Sequence, residues 1–471
     1  MTDAPRPEDP SWHSDDPHLS GVFTPVAREI DVADLTVVAG RIPEDLSGAY
    51  MRNGPNPLFQ PLSYTYPLDG DGMVHAVTFD NGRARYRNRF VETRELAVER
   101  RAGRAVWGGL MAPRPIDPSL LEPGEAGSPF KNGAFINVLA HGGHLLALGE
   151  AEAAYEMTME LETLGEWTAG TDAPLPIGAH NRRHPTTGDL FAIAYDPGSP
   201  EVQVRRIDPA GRLAANFAVT LPASSMIHDF VLTEKHVVLL VGPAVFDIEA
   251  AQRGGPVLAW RPELGTTIAV MDLDGGAPTL FEAEPFFVYH FANGFERGGD
   301  IVIDYVRHAR FSLGPDGSDR PPQLHRLVLD PATRQISDAP LADFATEFPR
   351  INDGLEAQAT RFVYVPQLTG TLTHGPHPSA TFNAITRVDT RSGATLTHDL
   401  GERVAGEPVF IPRPGASAED DGYLAVFATD PAALTSDLIL LAATDPSRDP
   451  VAVIRMPQRV PQGLHGTWIG R

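Results

Sequence analysis

Residues 185–211 read PTTGDLFAIAYDPGSPEVQVRRIDPAG, and this stretch decides the fold class. Two short runs, Asp189–Tyr195 and Glu201–Ile207, are rich in β-branched and aromatic residues, which suit a pleated surface. Turn chemistry brackets them: Pro185-Thr186-Thr187-Gly188 before, and Asp208-Pro209-Ala210-Gly211 after. The pattern of strand, tight turn and strand recurs in both directions. Further strands are expected at Leu145–Leu148, His236–Val241, Thr266–Leu273, Asp300–Arg307, Leu324–Leu329, Arg361–Val365, Tyr423–Ala428 and Leu438–Ala443. Asp80-Asn81-Gly82, Gly142-Gly143, Gly298-Gly299 and Arg391-Ser392-Gly393 supply the hairpin signals between them. Helices are scarce: Asp247–Gln252 predicts one or two turns and Pro118–Leu121 a short turn. Many short strands without βαβ alternation predict an all-β body, closed or radially repeated.

The chain has 471 residues, 42% of them apolar, so it can bury a large core. No linker interrupts it after residue 22. The expectation is a flexible, acidic, proline-rich segment over 1–22 and a single domain over 23–471. The 38 basic and 61 acidic residues leave a net charge of −23, which repels phosphate backbones and makes nucleic acid an unsuitable partner. Residues 1–21 have neither a basic start nor an apolar centre, so they do not read as a signal peptide. No apolar run approaches the roughly 18 residues of a membrane span. The expected location is the cytoplasm.

Cysteine is absent, which excludes disulfides, thiolate nucleophiles and cysteine-held metals. A bound metal would need His, Asp or Glu. Four of the sixteen histidines stand out: His180 in IGAHNRR, His228 in SSMIHDF, His290 in PFFVYHFANGF and His465 in QGLHGTW. Each alone reads more readily as a satisfied core histidine than as a ligand, and their spacing matches no local metal motif. In a radial β-body, however, distant elements can each aim one side chain at a common axis. Neutral imidazole is a good ligand for iron, zinc or copper, and its second nitrogen needs an acceptor. Glu150, Glu347 and Glu407 lie in apolar settings and are candidate acceptors.

These stretches resemble the carotenoid cleavage oxygenase family over nearly the whole chain. The resemblance rests on MRNGPNPLF (51–59), LDGDGMVH (68–75), RYRNRF (85–90), LLALGE (145–150) and AHNRRHPTTGD (179–189). It continues through MIHDF (226–230), HFANGFE (290–296), EFPRIN (347–352), EPVFIPR (407–413) and HGTW (465–468), all in the family's order. The resemblance implies a seven-bladed β-propeller with a cap of loops and short helices over one face. It implies iron(II) on the axis, bound by His180, His228, His290 and His465, with Glu150, Glu347 and Glu407 accepting hydrogen bonds from three of those imidazoles. His184 is then a surface or loop residue rather than a ligand. The implied reaction adds O2 across a C=C bond and gives two carbonyl products, with no organic cofactor, no outside reductant and no catalytic residue beyond the metal centre.

The family's implied substrate is an apolar polyene, a carotenoid or apocarotenoid, in a tunnel lined by Phe59, Trp107, Phe287 and Phe291. The alternative is a stilbene or an isoeugenol-like alkenylphenol. Relatives of that kind carry a lysine before the LLAL-motif glutamate, where this chain has Gly149, and a tyrosine that VWGGLM (106–111) lacks. Tyr66, Lys131 and Glu347 could substitute for those groups. A third reading is a non-catalytic propeller that binds a partner, since fold alone does not establish catalysis. The segment 106–121, with Trp107, Leu110, Met111, Leu120 and Leu121, could touch a membrane surface transiently.

Overall fold

The computed structural model describes residues 6–123, 125, 127–253, 255–312, 321–370 and 381–471. Seven antiparallel sheets stand around one axis as the blades of a β-propeller, and a separate ribbon pairs Ala244–Phe246 with Leu258–Trp260. Blades 2 to 5 each have four strands. Their innermost strands are Asn137–His141, Asn181–Arg183, Val231–Leu232 and Phe291–Arg297. Blade 6 has three strands, Phe362–Gln367, Ala384–Asp389 and Thr395–Asp399; residues 346 and 350 reach its inner edge only through isolated bridges.

The two chain ends close the ring. In blade 1 the C-terminal strand Gly466–Gly470 pairs with Gly48–Arg52, followed outward by Met73–Asp80, Arg83–Phe90 and Asp31–Val32. In blade 7 the N-terminal strand Val37–Gly40 adds to the outer edge beside Ala452–Arg455. Closure in both directions leaves neither terminal blade with an open seam.

One apolar cluster fills the space between each neighbouring pair of blades. The middle strands are therefore covered on both faces, which is why His236–Val241 is nearly continuously apolar instead of alternating. Outer strands such as Leu213–Thr220 do alternate, because one face meets water. At the hairpin between Met73–Asp80 and Arg83–Phe90, Asn81 and Gly82 both have positive φ (49° and 72°), as a two-residue primed turn requires.

Each expected strand is present, with ends shifted by at most three residues. Asp247 caps the short helix Ile248–Gln252 through Ala250 N, and Pro118–Leu120 forms a 3-10 turn. One helix went unpredicted: Arg94–Ala102, capped by Thr93 Oγ1 on Leu96 N and ended by left-handed Gly103. Thr93 and Gly103 were ordinary start and stop signals in the sequence.

The N-terminal segment, expected as a flexible tail, makes contacts with the propeller. Residues 1–5 lie outside the described residues, but 6–22 are docked on the body. Trp12 Nε1 donates to Leu58 O (3.0 Å), and Arg6 reaches the carbonyls of Ala433 and Leu434. Asp9 receives Arg459 (3.0 Å), a guanidinium buried in the body, while Leu19 and Val22 are buried. The segment is polar in composition, yet its few apolar side chains and Trp12 find sites on the cap, and its acid neutralises a buried base. The long apolar side chains of 106–121 also turn inward: Trp107 and Ile116 are buried, and Leu110 and Met111 pack on Leu68 and Phe287. No helix among the described residues is long and apolar enough to cross a membrane.

The interblade clusters predict a sharp contrast in stability. Leu440→Ala, in the cluster between blades 1 and 7, should cost about 2–5 kcal/mol on chemical denaturation. Leu280→Ala, on the exposed face of an outer strand, should change stability by less than about 0.5 kcal/mol.

Candidate metal centre

Three of the four histidines are the last residue before an inner strand, where the chain arrives at the axis: His180 (blade 3), His290 (blade 5) and His465 (blade 1). His228 precedes its strand in blade 4 by three residues. One ligand atom from each of the four lies within 4.8 Å of the others. His180 Nε2 and His228 Nε2 are 3.1 Å apart, and His290 Nε2 and His465 Nε2 are 3.0 Å apart. The rings meet edge to face, with centroids 4.5 Å apart for His180–His465 and 5.1 Å for His228–His290.

Three carboxylates fix the opposite ring nitrogens. His228 Nδ1 donates to Glu150 Oε2 (2.7 Å), His465 Nδ1 to Glu407 Oε1 (2.9 Å), and His290 Nδ1 to Glu347 Oε2. No carboxylate is bonded to His180 among the described residues. A neutral imidazole with its proton on Nδ1 presents a lone pair at Nε2, so the carboxylates assign the tautomer and aim three lone pairs inward. With the proton on Nδ1 of both, the Nε2 lone pairs of His290 and His465 face each other at 3.0 Å and repel; a cation between them removes the repulsion. The donor set, four imidazoles without a thiolate or a directly converging carboxylate, fits a borderline divalent transition metal.

The carboxylates are themselves held. Tyr195 Oη donates to Glu150 Oε1 (2.8 Å). Glu347 Oε1 receives His308 Nε2 (2.7 Å), and Phe348 N donates to its other oxygen. Glu407 Oε2 accepts from Arg350 (3.0 Å) and Gly466 N (2.9 Å). Burial alone would push the Glu407 carboxyl up, but Arg350 and His465 outweigh it and bring it down to about 2. Glu347 is likewise lowered, since His290 and His308 overcome its burial. Burial, then the three neighbouring imidazoles, holds His180 well below the ordinary histidine range, and burial takes His465 to about 4 against the pull of Glu407. For His228, burial acts downward but Glu150 raises it. Tyr195, His308 and Arg350 were missed in the sequence because nothing local ties them to a glutamate 39 to 57 residues away.

The other expected residues separate. Phe59 and Trp107 line a cavity under the cap together with Leu68, Phe135, Lys131 and Glu150. Phe287 packs with Met226, Tyr289 and Phe311 in the neighbouring apolar cluster. Phe291, expected beside them, points instead into the core between blades 4 and 5, against Tyr305. As the first residue of an inner strand, directly after His290, it is turned away from its neighbour by the strand's alternation. It borders a second, polar cavity of about 380 Å³ along the inner strands, walled by His180, His465, Arg182, Asp229 and Arg350. His184 sits in a loop, as expected, but is buried: its Nδ1 accepts from Thr187 N (3.1 Å) and its Nε2 meets Glu234 O (3.0 Å). It staples the turn of PTTG. Tyr66 is buried in a stack on His18, away from the cap cavity, and Glu347 is committed to two histidines.

Metal binding should separate these roles. Glu407→Gln should weaken metal affinity about 10- to 100-fold in equilibrium competition with a chelator. His184→Ala should leave metal content unchanged while lowering the melting temperature.

Comparison with known proteins agrees with this architecture. The retinal pigment epithelial membrane protein family profile matches residues 23–470. The carotenoid cleavage oxygenase of Mycobacterium tuberculosis is 33% identical, over 97% of this chain and 98% of that protein. The apocarotenoid-15,15'-oxygenase of Synechocystis is 30% identical over 92% of each. The crystal structure of the Pseudomonas brassicacearum lignostilbene dioxygenase superposes with a TM-score of 0.89 at 29% identity, covering 98% of this chain and 99% of that one. With its seven blades, its axial histidines and a profile match that runs almost end to end, the chain belongs to the retinal pigment epithelial membrane protein family, that of the carotenoid cleavage oxygenases.

Proposed function

We propose that this protein is a non-haem iron(II) dioxygenase that cleaves a C=C bond of an apolar polyene, a carotenoid or apocarotenoid, with O2. The observation that carries the reading is the convergence of four imidazoles, those of His180, His290 and His465 buried and that of His228 partly so, on one point of the axis, three of them oriented by carboxylates. His180, His228, His290 and His465 would hold the metal, and Glu150, Glu347 and Glu407 would keep the imidazoles in the ligating tautomer. Iron(II) supplies there the redox chemistry by which O2 adds to an alkene. Both oxygen atoms end in the two carbonyl products, so the balance needs no reductant and no protein acid or base. The chain's own task is to hold the alkene in place and to exclude water. Phe59, Trp107, Leu68 and Phe135 give the cap cavity the apolar wall for that task. The relatives named for carotenoid and apocarotenoid cleavage favour a polyene. Absence of cysteine and of a membrane-spanning helix among the described residues supports a place in the cytoplasm.

One observation favours a second reading, cleavage of an alkenylphenol or stilbene. Lys131 stands on the wall of the cap cavity, where an ammonium could meet a phenol oxygen. Its charge is already met by Asp71 Oδ1 (2.5 Å) and Glu99 Oε2 (2.7 Å), which hold it protonated.

Turnover under O2 with iron-reconstituted protein tests both readings, with a long apocarotenal and isoeugenol side by side and aldehydes followed by mass spectrometry. Aldehyde from the apocarotenal alone is the expected result, and vanillin alone would transfer the assignment to phenolic alkenes. His290→Ala should lose both iron and turnover; retained iron would contradict the assigned ligand set.

A further inference from the structure

The wall of the cap cavity carries five carboxyl groups: Asp69, Asp71, Glu99, Glu150 and Glu152. Four are fully engaged. Asp69 accepts from Thr65 N and Leu110 N; Asp71 from Leu58 N and Lys131; Glu99 from Val106 N and Lys131; Glu150 from Tyr195 and His228. Glu152 is different. Its Oε2 accepts from Ala151 N (3.1 Å), and its Oε1 has no hydrogen-bond partner among the described residues. The half-buried side chain folds back over Gly149, where an added Cβ would lie 2.6 Å from Oε2. The missing side chain at 149 therefore makes the space that this carboxyl fills. An acid occupies the place where phenol-cleaving relatives were expected to present a base.

We propose that Glu152 is a specificity-determining residue whose carboxyl donates a hydrogen bond to a neutral oxygen, carbonyl or hydroxyl, on the substrate. The proposal rests on the polyene reading above and makes that substrate an oxygenated polyene, an aldehyde or alcohol, in preference to a plain hydrocarbon or an anion. Three physical features support it. Burial, then the nearby Glu150 carboxylate, raises the Glu152 carboxyl to about 7, so near neutral pH a large share of it is protonated and able to donate. Glu150, on the same wall, has both carboxylate oxygens engaged by Tyr195 and His228, which leaves Glu152 as the carboxyl with an oxygen open to the cavity. The single ammonium on the wall is outnumbered by Asp71 and Glu99, so nothing there attracts an anionic oxygen.

The test is equilibrium binding to iron-loaded protein without O2, where no turnover occurs, using a C20 polyene aldehyde, the matching hydrocarbon and isoeugenol. Wild type should bind the aldehyde about five- to tenfold more tightly than the hydrocarbon. Glu152→Ala should abolish that preference with hydrocarbon affinity and iron content unchanged, and Glu152→Gln, which keeps an N–H donor, should retain it. Equal aldehyde affinity in wild type and Glu152→Ala overturns the proposal, as does loss of the preference in Tyr64→Phe instead, the hydroxyl on the same wall. If wild type binds isoeugenol and neither polyene, the polyene reading fails. In that case Glu152 stands if Glu152→Ala weakens isoeugenol about five- to tenfold, and falls if it does not.

Discussion

Imidazole nitrogens that meet lone pair to lone pair, as those of His290 and His465 do, repel one another unless something positive sits between them, and the fold brings four imidazoles together under that constraint. No single sheet could deliver the four side chains. A ring of seven blades can, because inner strands begin at the axis: in blades 1, 3 and 5 the residue just before the strand is one of the converging histidines, and in blade 4 the histidine lies three residues before it. Blades 1, 3, 4 and 5 contribute histidines. Blades 6 and 7 contribute Glu347 and Glu407 from similar places at their inner edges, and blade 2 contributes Glu150 from the end of its second strand. The carboxylates hold three imidazoles in the tautomer that leaves Nε2 free, and Arg350, His308 and Tyr195 hold the carboxylates. Buried charges of this kind are costly without partners, and each here has at least two.

Ring closure matters for the same reason. His465 sits six residues from the C-terminus, and its position depends on Gly466–Gly470 pairing with Gly48–Arg52. The four-histidine cluster is thus complete only when Gly466–Gly470 has paired with Gly48–Arg52. Arg350 extends this coupling: it binds Glu407 and the carbonyl of Gly466 at once, so blade 6, blade 7 and the closing strand share one guanidinium.

The strands and the four histidines could be read from the sequence, because apolar runs between tight turns and histidines in apolar settings are local signals. The number of blades could not be read from pattern alone. Blade 4 begins with a two-residue inner strand, Val231–Leu232, blade 6 has no regular inner strand, and blades 1 and 7 mix both ends of the chain, so no repeat period survives. The docking of residues 6–22 was hidden because composition reports the average segment, while Trp12 and Asp9 act singly. The turn of Phe291 into the core followed from strand alternation once its start was known; an aromatic run by itself does not say which ring faces a cavity. Glu152 escaped because its role depends on an absence, the side chain that Gly149 lacks.

The four histidines would hold a metal by imidazoles alone, with the carboxylates one hydrogen bond further out. X-ray absorption at the iron edge of the reconstituted protein tests it most directly. The expected result is one iron per chain, with four nitrogen neighbours from the protein and the outer scattering shells of imidazole rings. A carboxylate oxygen from the protein bound to the iron, or fewer than four imidazoles around it, would contradict the account.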